Sequence, residues 1–214
     1  MEVNIFGEGA VGYKNIVKSS SSQDFFLYKK YKNYAVCTVA DGHSMDVFKY
    51  SHIGSYLACQ SVFEILKTYK LNEDIEKGEQ NFICDLKNKK VQNDIKNKWR
   101  DLVYREFYKR NYKVYKLDYM LFGTTLSFVI FLKEYIVFFN LGDSSILIKE
   151  DKDYVNVFKN NNFKFVNSLA LYNCEEKMQY SILKMNKDFK LVISTDGFIN
   201  SFETYHKLKS ELDR

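Results

Sequence analysis

The 214-residue sequence predicts one α+β domain, 1–214, built mainly on antiparallel strands. Three observations carry that prediction. Apolar, β-favouring runs end in acidic turns three times: Tyr34–His43 reads YAVCTVADGH, Lys190–Gly197 reads KLVISTDG, and Ile136–Asp143 reads IVFFNLGD. The apolar spacing becomes helical after Asp46 and returns to short strand-like runs from Gly123. There is no βαβ repeat and no P-loop, so nucleotide-binding readings on those folds fail.

Val3 and Ile5 alternate with polar residues and predict a short edge strand and loop within Met1–Val17. Lys18–Ser22 is a polar run, Phe25–Tyr28 a strand, and Lys29–Asn33 a hairpin turn. The unbroken apolar run Ala35–Ala40 suits a strand buried on both faces. A hairpin of these two strands sets Asp24 and Asp41 at the same end, and Gly42 removes the steric cost of the turn that follows. Ile53, Tyr56, Leu57, Phe63 and Leu66 predict a helix, and Lys70–Gly78 a loop. One longer helix is predicted from Phe82 to Phe107, with Trp99 in its core stripe and a slip of register between Leu86 and Val91. Thr124–Leu132, Tyr135–Asn140 and Ser144–Lys149 predict an antiparallel meander whose tightest turn is Lys133-Glu134. Tyr154–Phe158, Met178–Lys184 and Lys190–Thr195 read as further strands, Asn160–Asn162 as a turn, and Phe163–Tyr172 fits neither period.

The formal charge is +5, but lysines and carboxylates alternate even in the basic stretch Lys87–Arg110. That pattern is a solvated helix surface, not the concentrated basic face of a nucleic-acid binder. Cys37, Cys59, Cys84 and Cys174 are far apart and lack Cys-x-x-Cys spacing, which argues against structural zinc and a disulfide scaffold. The opening MEVNIFGEG lacks the pattern of a signal peptide, and the apolar runs are strand-length. A cytoplasmic setting away from membranes is the expectation.

Asp24, Asp41, Asp143 and Asp196 all fall at strand ends. Carboxylates and backbone carbonyls are the donors that Mg²⁺ and Mn²⁺ prefer. Clustered without cations they repel one another and their pKa values rise; bound cations remove that penalty. Read from pattern alone, the four are also open to being independent turn residues of a β-rich protein.

The motifs resemble those of the metal-dependent PPM/PP2C-type protein serine/threonine phosphatases, above all the compact bacterial branch. Ser22-Gln23-Asp24, Val39-Ala40-Asp41-Gly42-His43, Gly123-Thr124-Thr125, Asn140-Leu141-Gly142-Asp143-Ser144 and Ser194-Thr195-Asp196-Gly197 occur in the family's order from Gly12 to about Phe202. The resemblance implies a four-layer αββα sandwich with metals at one end between the sheets. It implies two Mn²⁺ or Mg²⁺ ions bridged by Asp41, one held also by the Gly42 carbonyl and the other by Asp196. Asp24 would support the site, and Gln23, where the family often has Glu, would hold a metal-bound water. Asp143 would join Asp196 around a weaker third ion. His43 beside the site is open to two roles, general acid for the leaving alcohol or plain structure. The implied reaction is direct attack of a water bridging two divalent ions on phosphoserine or phosphothreonine, in opposition to a Ser/Thr kinase.

Two departures from the family pattern bear on activity. The expected Asp-Asn or Asp-Asp pair on a later strand is missing, and Asp213 is too near Asp196 to replace it, so the chain reads as shortened or naturally degenerate. No arginine precedes Arg100, which leaves Lys18 or Lys14 to meet the phosphate as point charges without a bidentate fork. The alternative reading is therefore a catalytically impaired module of the same fold that binds or senses a phosphoprotein; a β-rich structural or nucleic-acid-binding protein is a third.

Overall fold

In a computed structural model that describes residues 3–11, 22–110, 116–158, 166–185 and 190–213, two antiparallel sheets lie between two helical layers. The elements run β1 (Phe25–Lys30), β2 (Ala35–Ala40), α1 (Ser51–Thr68), α2 (Ile75–Lys87), α3 (Lys90–Arg110), β3 (Leu126–Phe131), β4 (Tyr135–Leu141), β5 (Ser145–Glu150), β6 (Asp153–Asn156), β7 (Gln179–Lys184), β8 (Leu191–Ser194), α4 (Asp196–Asn200) and α5 (Tyr205–Leu212). One sheet has the order β1-β2-β3-β4-β7 and the other β6-β5-β8.

Side-chain alternation assigns each layer its core. Val36, Phe128, Ile130, Val137 and Phe139 pack outward against α1–α3, where Trp99 is fully buried. Their neighbours Ala35, Val129, Phe131, Ile136 and Phe138 turn inward to meet Ile146, Ile148, Leu191 and Ile193 of the second sheet. On its far side that sheet presents Leu147, Tyr154 and Val192 to Leu208 and Leu212 of α5. Strands sandwiched this way read as continuous apolar runs, as Ala35–Ala40 does.

Four expectations need correction. The meander ends at β4, which pairs with β3 and β7, while β5 belongs to the other sheet. The crossover sits at Gly142, whose φ of 118° is open to glycine and whose missing side chain leaves room for Thr125. The single long helix is two, broken at Lys89, which adopts a left-handed φ of 58°; the register slip marks this break. The segment Lys70–Gly78 is not all loop, because Asp74 accepts a hydrogen bond from the Lys77 amide at 3.1 Å and caps α2. Residues 3–11 form no strand, although Val3 and Ile5 pack against the inter-sheet core. The rest of the predicted edge strand (Met1–Glu2 and 12–17) and the turn Asn160–Asn162 lie outside the described residues.

All four cysteines are free thiols; burial pushes Cys37 and Cys59 up to about 12, which disfavours the reactive thiolate. Along α3, Lys90 pairs with Asp94 at 2.9 Å and Arg105 with Asp101 at 2.9 Å. Among the described residues no helix is long and apolar enough to cross a membrane.

Candidate metal centre

The β1–β2 hairpin has Phe25 opposite Ala40, so Asp24 and Asp41 flank its open end together. Asp41 is fixed through its backbone. Its amide donates to Thr125 Oγ1 at 2.9 Å, and its carbonyl accepts from the Thr125 amide and from Thr124 Oγ1, both at 2.9 Å. Gly42 then forms an isolated bridge with Thr124. The flanking bonds, Thr125 amide to Asp41 carbonyl and His43 amide to Gly123 carbonyl, make Gly42 and Thr124 a non-hydrogen-bonded pair. The Gly42 amide and carbonyl therefore both point away from β3 toward β1, where the amide donates to the Gln23 carbonyl at 3.2 Å. A Cβ on Gly42 would lie 2.6 Å from that carbonyl oxygen and 2.9 Å from the Ser51 backbone.

The second sheet supplies Asp196. It stands at the start of α4, two residues past β8, and Asn200 one helical turn on donates to its Oδ2 at 3.0 Å. Thr195 Oγ1 donates to Asp24 Oδ2 at 3.1 Å and so ties the two sheets together at this corner. Asp143 sits at the crossover from β4 to β5; its Oδ1 is buried without a hydrogen-bond partner, and so are Ser144 Oγ and Ser194 Oγ.

These carboxylates interact. Burial first, then the negative charges of Asp24 and Asp196, push Asp41 up to about 9, and its carboxyl is within hydrogen-bonding reach of both neighbours. Burial also raises Asp24, against the opposing effect of hydrogen bonds from Asp41 and Thr195. Burial and the Asp196 charge raise Asp143. Among the described residues no three His, Cys, Asp or Glu side chains stand in the spacing of a finished ligand set. The donors nonetheless suit a hard divalent cation. They are all oxygens, burial and neighbouring negative charge raise the pKa of Asp41 and Asp143, and they include one buried orphan oxygen.

The remaining sequence candidates divide. His43 packs its ring on Phe48, centroids 4.7 Å apart, and burial alone lowers its pKa, without a contribution from any carboxylate. Lys18 and Lys14 lie outside the described residues. Asp213 is far from the site in the fold, paired with Lys149 at 2.6 Å. The described segments that meet at the site (22–28, 39–48, 123–128, 140–146 and 191–202) contain no lysine or arginine. Sequence reasoning gave no role to Thr195 or Asn200, and the only signal for Asn200 is its i+4 spacing from Asp196, visible once α4 is recognised as a helix. It assigned Gln23 to water binding; in the structure the Gln23 amide nitrogen donates to the His43 carbonyl at 3.0 Å and to Ser51 Oγ at 2.9 Å.

Comparison with known proteins places this geometry. Residues 11–214 match the family model described as protein phosphatase 2C. A search of curated proteins gave no significant match. Among solved structures, the serine/threonine phosphatase of S. agalactiae shares 18% identity over 91% of this chain and 81% of that one, with a TM-score of 0.58. The catalytic domain of the serine/threonine protein phosphatase PstP, solved with two manganese ions, shares 11% over 91% and 79%, with a TM-score of 0.56. The photosystem II phosphatase PBCP shares 12% over 96% and 70%, with a TM-score of 0.58. At these identities the likeness is one of fold.

Proposed function

Because the chain belongs to the protein phosphatase 2C family, we propose that residues 1–214 act as one phosphatase domain hydrolysing phosphoserine or phosphothreonine on protein substrates, in opposition to a Ser/Thr kinase. The observation that carries this reading is the convergence of Asp24, Asp41, Asp143 and Asp196 from both sheets on one corner, with raised pKa values on Asp24, Asp41 and Asp143. Asp41 and Asp196 are the proposed carboxylate ligands of two Mn²⁺ or Mg²⁺ ions, with the Gly42 carbonyl on the Asp41 side and Asp143 beside Asp196 for a third. Such cations, when bound, supply Lewis acidity to the phosphoryl group and an acidified water as nucleophile.

The protein's part is placement. Thr124 and Thr125 fix the Asp41 backbone, Thr195 orients Asp24, and Asn200 orients Asp196. The packing of His43 on Phe48 supports a structural role over that of a general acid. Lys18 is the proposed cation facing the phosphate, from its sequence position and because the described segments that converge on the site contain no lysine or arginine.

A second reading, a module of this fold that binds a phosphoprotein without turning it over, is favoured by the lack of a finished three-carboxylate set among the described residues. Phosphate release from a phosphothreonine peptide, with and without Mn²⁺, separates the two. The enzyme releases phosphate only with the metal and loses that release in Asp41→Asn. Equal rates in parent and variant refute the assignment, and peptide binding without release supports the second reading.

A further inference from the structure

Gln23 stands one residue before Asp24 and touches the Asp-Gly-His turn with both of its polar ends. Its backbone carbonyl accepts from the Gly42 amide at 3.2 Å and from Ser55 Oγ at 2.6 Å. Its side-chain nitrogen donates to the His43 carbonyl at 3.0 Å and to Ser51 Oγ at 2.9 Å. A carbonyl only accepts, so the group facing His43 must be the NH₂, and both of its hydrogens are committed.

Three consecutive peptide planes are thereby immobilised. The Asp41–Gly42 plane is held by Thr124, Thr125 and the Gln23 carbonyl, the Gly42–His43 plane by the His43 amide on the Gly123 carbonyl, and the His43–Ser44 plane by the Gln23 amide. Of the three carbonyls only that of Gly42 receives no hydrogen bond from a described residue.

We propose that Gln23 is a positioning residue for the Gly42 carbonyl, aiming it at the cation site through the amide clamp on His43 and Ser51. The proposal rests on the metal reading above. The clamp needs the amide of glutamine, because a carboxylate facing the His43 carbonyl sets two acceptors against each other.

The decisive property is the sign of one substitution. If residue 23 served the metal through a bound water, Gln23→Glu would add negative charge and tighten Mn²⁺ binding. The clamp predicts the reverse: the Mn²⁺ Kd, measured by calorimetry on the full chain, weakens by about tenfold, the worth of one to two lost hydrogen bonds. Ser51→Ala, which removes one acceptor and leaves the charge unchanged, weakens it by a few-fold, on the order of a single neutral hydrogen bond. Tighter or unchanged binding in Gln23→Glu overturns the proposal. A loss of metal-free melting temperature with an unaltered Mn²⁺ Kd also overturns it, since that outcome is ordinary structural damage. Asp41→Asn, measured in parallel, reports on the metal reading itself. If that variant binds Mn²⁺ as the parent does, the metal reading fails, and amide exchange judges the clamp: faster exchange at Gly42 and His43 in Gln23→Glu supports it, and unchanged exchange refutes it.

Discussion

Gly54→Ala tests how closely the helical layer is coupled to the site. A Cβ at residue 54 would lie 1.8 Å from the Phe122 carbonyl oxygen and 2.7 Å from its carbon. Non-bonded carbon–oxygen approaches are normally about 3.3 Å or more, so α1 or the turn ending at Phe122 must yield by roughly 1.5 Å. Movement of α1 also pulls on the Gly54 carbonyl, which accepts the Trp99 indole N–H at 3.0 Å in a fully buried setting. Overpacking costs about 1–3 kcal/mol and the weakened buried hydrogen bond about 1 kcal/mol more, for a sum near 3 kcal/mol. For a chain of this length that lowers the melting temperature by roughly 10 °C. Phe122 immediately precedes Gly123, whose carbonyl accepts from His43, so the shift reaches the Asp-Gly-His turn and weakens Mn²⁺ binding as well. Thermal melts followed by circular dichroism, with Gly197→Ala as control, measure the effect; a Cβ at 197 meets nothing within 4 Å. If Gly54→Ala melts together with the parent, the reasoning from close approach is refuted.

Asp41 keeps its proton in the folded chain up to about pH 9 and loses it near 3.8 when unfolded. Its contribution to metal-free stability is therefore fully present below pH 3.8 and lost as pH rises toward 9; urea midpoints at pH 5, 7 and 9 should fall in the parent more than in Asp41→Asn. Saturating Mn²⁺, at a hundred times its Kd, raises stability by about 2.7 kcal/mol, and titrating it into thermal melts should give an increment that grows with pH. Thr195→Val removes the hydroxyl that bonds Asp24 across the two sheets and should weaken Mn²⁺ binding several-fold, with Thr195→Ser restoring it; equal affinities in parent and valine variant refute the role. Tyr154→Phe deletes hydrogen bonds to the Leu212 carbonyl and Asp213, costing about 1–2 kcal/mol in urea unfolding and loosening α5 from its sheet.

Legibility followed the reach of the interactions that fix each element. The β1–β2 hairpin is local, and the apolar run ending in Asp41-Gly42 specifies both the strand and its stop, so the pairing of Asp24 with Asp41 was readable from spacing. The path of the chain after β4 was not. A strand that pairs with its neighbour and one that crosses to another sheet share the same alternation of apolar residues, and the difference lies in a single φ at Gly142. The break between α2 and α3 left only a slip of register, and α5 went unseen because its apolar face is narrow, Leu208 and Leu212 being its only buried residues. Gly7, Gly9 and Gly12 have the Gly-x-Gly-x-x-Gly spacing of a dinucleotide loop, but no strand lies in residues 3–11 to set such a loop, and Gly7 and Gly9 instead back onto the Phe26 ring. At the site, identity was legible and support was not: the aspartates announce themselves by motif, whereas Gln23, Thr195 and Asn200 matter through hydrogen bonds between segments far apart in sequence or within a helix that was not foreseen.

The division of the carboxylates between two sheets has a physical consequence. Asp24 and Asp41 ride on one hairpin and hold a fixed distance from each other, while Asp196 rides on the other sheet, so inter-sheet packing sets the width of the site. Bringing buried carboxylates together is unfavourable, and in the metal-free chain that repulsion is relieved by a proton on Asp41 and a hydroxyl on Thr195. Both are weaker partners than a divalent cation, which would displace the proton and pull the same groups closer. The core between the sheets, from Phe131 and Phe138 to Ile146 and Ile193, resists the opposite motion. The fold thus carries its electrostatic penalty where apolar burial can sustain it, and the corner is left with carboxylates whose most favourable remaining partner is a metal ion.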